Sequence, residues 1–442
     1  MDFPVWYVPY LTAPLLIPLI AVPHVIVAQF AVGGGFLLAD LTRRAYGAND
    51  LAILAYLRGL TRTFVLITIV FGAVTGVGIW WTIGLTSPET TSALIHIFVF
   101  GWAAEWAVFV LELAAAFVFY YFWGRLEPRE HVIVGWMYAA AAWVSLVLIT
   151  GITAFMLTTG GWTPEKSFLT AFFNPSFAPQ VLLRTGGSLA IAALGIGVHL
   201  SFQKDHGLDK DLIIRWMSRW ALAGVILILV GGAWYLAVMP DHARLNLIRA
   251  PILLAMTGIN FFVTLLVTAA LTWGHMVGSR WITPPAAVLL FFAGAAAITT
   301  GEFVREGTRK PYRIDRYIFS PGIRASDVTD VQRSGLIRRA PWLQHYLDRE
   351  LSPGASLRAA DLPPAGRVEV GKSIFRYHCS SCHAEWGYNG IVPILRPWTP
   401  ELIRDTVRNL HRANPAMPPW MGNENEREAL AAYLMQLSQG RP

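Results

Sequence analysis

Eight runs of apolar residues, separated by short polar stretches, fill the first 304 positions: about 11–39, 63–85, 93–123, 133–158, 181–202, 217–239, 250–274 and 285–304. A helix needs roughly 20 apolar residues to cross about 30 Å of hydrocarbon, so each run predicts one membrane-spanning helix. Several runs are longer than that, which predicts tilt or projection beyond the bilayer. The first is too long, and too poor in flanking positive charge, for a cleaved leader. From about residue 305 the pattern changes to charged and proline-bearing, as in Arg305-Glu306-Gly307-Thr308-Arg309-Lys310-Pro311-Tyr312. The expected architecture is all-α in three parts. An eight-span bundle covers 1–312, a linker with a short helical piece (about 325–350) covers 313–365, and a small all-α domain covers 366–442.

Composition supports a membrane protein: 55% of the residues are hydrophobic and only 14% are charged, far too few charges to cover a soluble surface of this size. The 18 Trp and 14 Tyr suit helix ends at a lipid–water interface. The net charge of +7 does not point to nucleic acid, because the basic residues concentrate in loops and the tail. Loops after spans 1, 3, 5 and 7 hold Arg43, Arg44, Arg58, Arg62, Arg125, Arg129, Lys204, Lys210, Arg215, Arg219 and Arg280; those after spans 2, 4 and 6 hold only Lys166, Arg184, Arg244 and Arg249. Basic short loops stay in the cytoplasm. Both termini are therefore expected outside, on the periplasmic face of a bacterial inner membrane.

Both cysteines lie in one pentapeptide, Cys379-Ser380-Ser381-Cys382-His383, leaving none for a disulfide or a cysteine zinc site. C-x-x-C-H is the c-type haem attachment motif: the two thiols add to the haem vinyl groups and His383 offers a ring nitrogen to the iron. Such haem is attached on the periplasmic side, which agrees with the charge-derived topology. Val368 to His378 reads as a helix leading into the motif. Asn414-Pro415-Ala416-Met417-Pro418-Pro419-Trp420-Met421 offers Met417 as sixth ligand from a proline-stiffened turn, with Met421 as the alternative. Residues 424–438, including Tyr433 and Leu434, close the domain. This order resembles a class I cytochrome c over about 75 residues. Thioether ligation favours a higher potential than bis-histidine ligation, hence electron transfer in preference to gas binding.

Ionisable residues inside spans are costly and mark function by default. They are His24 in span 1, His96, Glu105 and Glu112 in span 3, His199 in span 5, His275 in span 7 and Glu302 in span 8. The expected topology puts His24, His96 and Glu302 in the outer half, on the side of the tail haem. His199 and His275 fall at inner helix ends, where an interfacial histidine is the simpler reading.

Over about residues 10–315 the chain is similar to subunit I of the cytochrome bd-type quinol oxidases. Span 1 has His24 followed by Gly33-Gly34-Gly35 and Asp40. Span 2 contains Gly72-Ala73-Val74-Thr75-Gly76, close to the family's Gly-x-x-Thr-Gly. Span 3 carries two glutamates and ends Phe122-Trp123-Gly124-Arg125-Leu126. Span 8 ends in the Glu302–Tyr312 stretch, close to the family's Phe-Val-x-Glu-x-Gly-Arg-Gln-Pro-Trp. The resemblance implies that His24 ligates a haem of the oxygen-reducing pair, that Glu112 and Glu105 line a proton path, and that a related second membrane subunit is a partner.

There are departures. The family's low-spin haem histidine in span 5 is replaced by Arg184-Thr185, and Met256 lies off register on the helix that carries the partner methionine. The family's span 8 carboxylate ligand falls at Thr299, one turn from Glu302. The quinol-oxidising loop shrinks to about Pro240–Arg249, and the last span gives way to the haem c tail. His24, His96, Met256 and Glu302 are then the candidates to hold intramembrane haem, as haem b, haem d or both, with His24 and His96 able to share one haem or to hold two separately. Two functions stay open: a bd-like oxidase fed through the tail haem by a periplasmic cytochrome c, or a pure electron-transfer subunit of a larger complex that links it to quinone or soluble cytochrome c.

Overall fold

The computed structural model describes residues 5–204, 207–278, 283–340 and 364–440. Arg280 and the distal part of the helical piece expected at 325–350 lie outside the described residues. Among the described residues, eight helices are long and apolar enough to cross a membrane: Leu15–Gly47, Leu51–Thr86, Val99–Tyr121, Pro128–Ala154, Phe177–Ser201, Lys210–Val238, Pro251–Val277 and Pro284–Thr308. They are spans 1 to 8 below.

Two spans differ from the apolar runs. Span 2 begins well before its run, at Leu51, where Asp50 caps the helix by accepting from the Ile53 N–H; Arg58 and Arg62 therefore ride on the helix. Span 2 also contains a π-helical turn, Leu66–Phe71, directly before Gly72. The run for span 3 is broken at Phe98 (φ −114°, ψ 28°), which separates a short helix, Pro88–Ile97, from Val99–Tyr121. His96 lies on that short helix and not in span 3.

The chain divides into two compact units. One comprises Ala21–Val77 and Ile97–Thr308; the other comprises Met1–Ile20, Gly78–His96 and Arg309–Pro442.

In the first unit the crowded element is span 1. Successive residues of a helix point about 100° apart, so three consecutive glycines strip the side chains from most of its circumference at one level. A Cβ on Gly33 would stand 1.9 Å from the Ser188 carbonyl oxygen of span 5. One on Gly34 would meet the Phe64 ring of span 2 at 2.4 Å, and one on Gly35 the Tyr138 ring of span 4 at 2.7 Å. Small residues that let backbones approach are the usual device for helix packing in lipid, where water cannot drive association. Asp40, seven residues on, is buried. It accepts from Arg43 (2.7 Å), Arg44 (2.8 Å) and the Trp220 indole (3.0 Å) of span 6.

In the second unit, the helix Pro364–Ile374 runs through a π-helical turn, Phe375–Cys379, into the haem motif, and the helix Glu424–Ser438 packs against it. The stretch read as linker contributes a small hairpin, Tyr312–Ile314 with Ile318–Phe319, and two short helices, Val328–Ser334 and Leu336–Arg339. Phe319, Ile323, Val331, Leu336 and Ile337 are buried in the same core as Ile374, Tyr377 and Leu434. Buried Glu426 fixes the second of those helices, accepting from the N–H groups of Leu336 (2.8 Å) and Ile337 (3.0 Å). Over 313–340 the tail therefore has no free linker. Its apolar positions fall in elements too short to show a period.

Replacing Gly33 by Val is expected to lower the thermal stability of the detergent-solubilised protein, by about 1–3 kcal/mol or more, because the clash is with backbone. Gly59→Ala, on span 2 where a Cβ meets nothing within 4 Å, should be neutral or slightly stabilising. Equal melting temperatures for the two variants would contradict the packing role of Gly33.

Candidate haem sites

In the tail the attachment motif is wound as a turn: the Cys382 and His383 N–H groups both donate to the Cys379 carbonyl (3.0 and 2.9 Å). The His383 Nδ1 lies 3.2 Å from the Asn389 carbonyl; with Nδ1 as the donor in this bond, Nε2 is the nitrogen that suits a metal. Asn389, held at φ 50°, is itself anchored by donating to the Cys382 carbonyl (2.7 Å). Burial keeps the His383 imidazole below its ordinary value, hence neutral, with the Asn389 bond acting the other way. Burial pushes the Cys379 thiol up to about 12. At Cys382 burial also opposes ionisation, but Lys310 and Arg313 outweigh it and lower that thiol. Arg313 also donates to the Ser381 carbonyl (3.3 Å).

Met417 is half-buried, its N–H bonded to the Asn414 carbonyl (2.9 Å) and its carbonyl to His411 (2.8 Å). Met421 is fully buried in the hydrophobic core, which is a packing role. Both ring nitrogens of His378, which is buried beside Trp420, find no hydrogen-bond partner among the described residues. Two adjacent thiols, an oriented neutral imidazole, a thioether in a stiff turn and orphaned polar atoms next to the motif together fit a covalently attached haem.

In the membrane unit His24 is gripped by span 2. Its Nδ1 lies 3.1 Å from the Gly72 carbonyl and 3.1 Å from the Thr75 hydroxyl. Gly76 faces the ring so closely that a Cβ would stand 3.1 Å from His24 Cε1. The Gly-x-x-Thr-Gly segment is therefore a cradle: its glycine admits the ring and its carbonyl takes the Nδ1 proton. Nε2 has no hydrogen-bond partner among the described residues. An imidazole fixed through one nitrogen, with the other left as donor, fits an axial haem ligand.

Glu105 and Glu112 lie on one side of span 3, two turns apart. Glu105 accepts from Ser145 of span 4 (3.1 Å). Glu112 bonds to Tyr138, whose hydroxyl also reaches Thr68 of span 2 and lies 3.4 Å from the Ala31 carbonyl of span 1. The glutamates thus belong to a polar file that crosses spans 3, 4, 2 and 1.

The remaining candidates are arranged otherwise. Arg184 is directed at Glu302 (3.3 Å), whose second carboxylate oxygen is held by Arg305 at 2.7 Å. An arginine in place of the histidine, with both oxygens of Glu302 engaged, does not fit an iron-ligand pair. Met256 is half-buried on span 7. His96 is exposed, with Nδ1 at 2.7 Å from the Ser92 carbonyl. His199 packs near the Tyr56 ring (5.5 Å between centroids), and His275 sits on the last turn of span 7. His131, unremarked in the sequence, is buried in span 4 between the Phe119 carbonyl (2.9 Å) and the Tyr46 hydroxyl (3.1 Å), stacked on Phe119; it is a satisfied core histidine. Glu306 lies one turn beyond Glu302. It stands where the family's Phe-Val-x-Glu stretch has its glutamate.

Comparison with known proteins bears on both parts of the chain. Residues 15–241 match the family described as cytochrome bd terminal oxidase subunit I, and residues 366–434 match the family described as cytochrome c oxidase, cbb3-type, subunit III. No curated protein is significantly similar to the chain. Among solved structures, the bd oxidase from Geobacillus thermodenitrificans superimposes with a TM-score of 0.60 at 17% identity, covering 69% of this chain and 89% of that one; at this identity the likeness concerns the fold. The combination of domains fits a multi-pass membrane haem subunit of electron transfer or oxidation. The first match spans just over half of the sequence, and the chain belongs to the cytochrome bd terminal oxidase subunit I family.

Proposed function

We propose that this chain is the haem-bearing subunit of a bd-like terminal oxidase that receives electrons through its own haem c. The observation that carries this reading is His24, held through Nδ1 by Gly72 and Thr75, in a chain that also presents Cys379, Cys382 and His383 as one turn. Cys379 and Cys382 would anchor a single haem c, and His383 and Met417 would hold its iron. His24 binds a haem b or haem d in the membrane. When bound, haem would supply one-electron exchange and the chemistry of oxygen reduction.

The chain's own residues do the rest. Thr75 and Gly72 keep the His24 imidazole aimed. Glu105 and Glu112 move protons along the file through Ser145, Tyr138 and Thr68. Arg184, Glu302 and Arg305 form an ion cluster where the resemblance puts a low-spin haem, so the chain holds fewer intramembrane haems than the family pattern. Between spans 6 and 7 there is only a nine-residue helix, Asp241–Arg249, which favours a periplasmic cytochrome c over quinol as donor. The basic loops favour a topology with both termini in the periplasm and the spans in a bacterial inner membrane. A second membrane subunit related to the family's subunit II is the expected partner.

The same ion cluster favours a second reading: an electron-transfer subunit with six-coordinate haems and no oxygen chemistry, connected to quinone or a soluble cytochrome. Carbon monoxide separates the two. Reduced protein should show a CO difference spectrum from a membrane haem if the oxidase reading holds; b and c bands indifferent to CO would reject it.

Two variants refine the assignment. His24→Ala should remove one membrane haem and leave haem c, lowering the ratio of other haem to haem c in pyridine haemochrome spectra; an unchanged ratio rejects His24 as a ligand. Glu112→Gln should retain every haem and slow oxygen consumption by roughly 10²-fold, as for loss of a proton-transfer group. Unaltered turnover would remove Glu112 from the path.

A further inference from the structure

The residues before span 1 make a set of contacts that the proposed function leaves unexplained. Trp6 donates its N–H to the Leu85 carbonyl (2.8 Å), and Val5 packs on the tail core. The Tyr7 ring lies under the Arg376 guanidinium, 4.9 Å from ring centroid to Cζ, and its hydroxyl bonds to Glu385. Glu385 also accepts from the Tyr433 hydroxyl at 2.7 Å. The Tyr388 N–H donates to the Tyr10 carbonyl (3.3 Å). Gly387, at φ 90°, approaches that carbonyl so closely that a Cβ would stand 2.8 Å from its oxygen. Tyr10 is itself in the left-handed region, at φ 66°, a conformation that is costly for a non-glycine residue and persists only when its surroundings impose it. A second tie, Arg324 to Glu89 at 3.6 Å, joins the tail to the short helix after span 2.

These contacts have a common target. Arg376 precedes the first haem cysteine by three residues, Glu385 follows the ligand histidine by two, and Tyr433 lies on the closing helix. Two phenols from separate segments meet on one carboxylate, and an arginine covers one of those phenols. A haem domain that swings on a tether has no use for such a match with the first residues of the chain.

We propose that Val5–Tyr10 is a docking clamp, latched on Glu385, that holds the haem c domain as a fixed and not a swinging electron carrier. The clamp runs directly into the helix that carries His24. This inference rests on the reading that haem c exchanges electrons with a membrane haem, and its test separates the two.

The full-length Tyr10→Cys/Tyr388→Cys variant is assembled in its native membrane complex and oxidised. The Tyr388 N–H to Tyr10 carbonyl bond joins the two backbones directly, and a disulfide forms where Cα atoms come within roughly 4.4–6.8 Å. The clamp predicts that peptide mapping finds the bridge in most molecules with a normal haem c content. Electron transfer between haem c and the membrane haem should stay within about twofold of the parent, oxidised or reduced. Absence of the bridge at normal haem c content overturns the proposal. So does a bridge that slows transfer about tenfold and is relieved by reduction, because the domain must then move. Tyr7→Phe/Glu385→Gln, which removes the latch, should slow transfer about tenfold at unaltered haem c spectrum and midpoint potential; an unaffected rate overturns the clamp. If the parent shows no transfer between the haems, the functional reading fails while the peptide map still decides the clamp.

Discussion

Close approach at Gly33-Gly34-Gly35 is the constraint on which the membrane unit depends. In lipid there is no gain from hiding apolar surface, so helices are held by van der Waals fit and by the few polar contacts they can make. Three bare positions in a row let span 1 touch spans 5, 2 and 4 at one level. Two of those contacts involve the rings of Phe64 and Tyr138, which also pack on each other at 5.6 Å. That packing sets the geometry of both functional features. His24, nine residues earlier on the same helix, meets the Gly72–Gly76 segment of span 2. Tyr138, pressed on Gly35, meets Glu112. The imidazole cradle and the carboxylate file are thus consequences of one steric choice.

Polar groups in such an interior persist only when partnered, and the partners define their roles. Asp40 is saturated by two arginines and an indole, which makes it a structural anchor at the end of span 1. Glu302 is likewise saturated, by Arg184 and Arg305. His131 spends both nitrogens on neighbours. His24 spends one and keeps the other. The difference between a saturated histidine and one with a nitrogen to offer is therefore visible in its hydrogen bonds and not in its depth along the span.

Much of this was legible in the sequence, for reasons of locality. Apolar runs of sufficient length give spans because the signal sits within each segment. The haem motif is equally local, since attachment chemistry needs its cysteines and histidine within five residues. What was hidden arises from pairing across distance. The Arg184–Glu302 bridge joins residues 118 positions apart, and Glu426 satisfies the backbone of Leu336 and Ile337 from about 90 positions away. The break at Phe98, which moves His96 off span 3, interrupts the helix without interrupting the hydrophobicity. The strap at Val5–Tyr10 looks like the ragged start of an apolar run, because its contacts are made to residues near the other end of the chain. Glu306 was legible in the sequence, in register with the family's Phe-Val-x-Glu.

The central claim is that haem c and the haem at His24 share electrons within one chain. Photolysis of the CO-bound, partly reduced protein tests it directly, because releasing CO lowers the affinity of the membrane haem for its electron. The account predicts that the haem c α-band then grows as that electron moves to the tail, in a phase independent of protein concentration. A haem c band that stays still after photolysis, or responds only at a rate proportional to protein concentration, would contradict it.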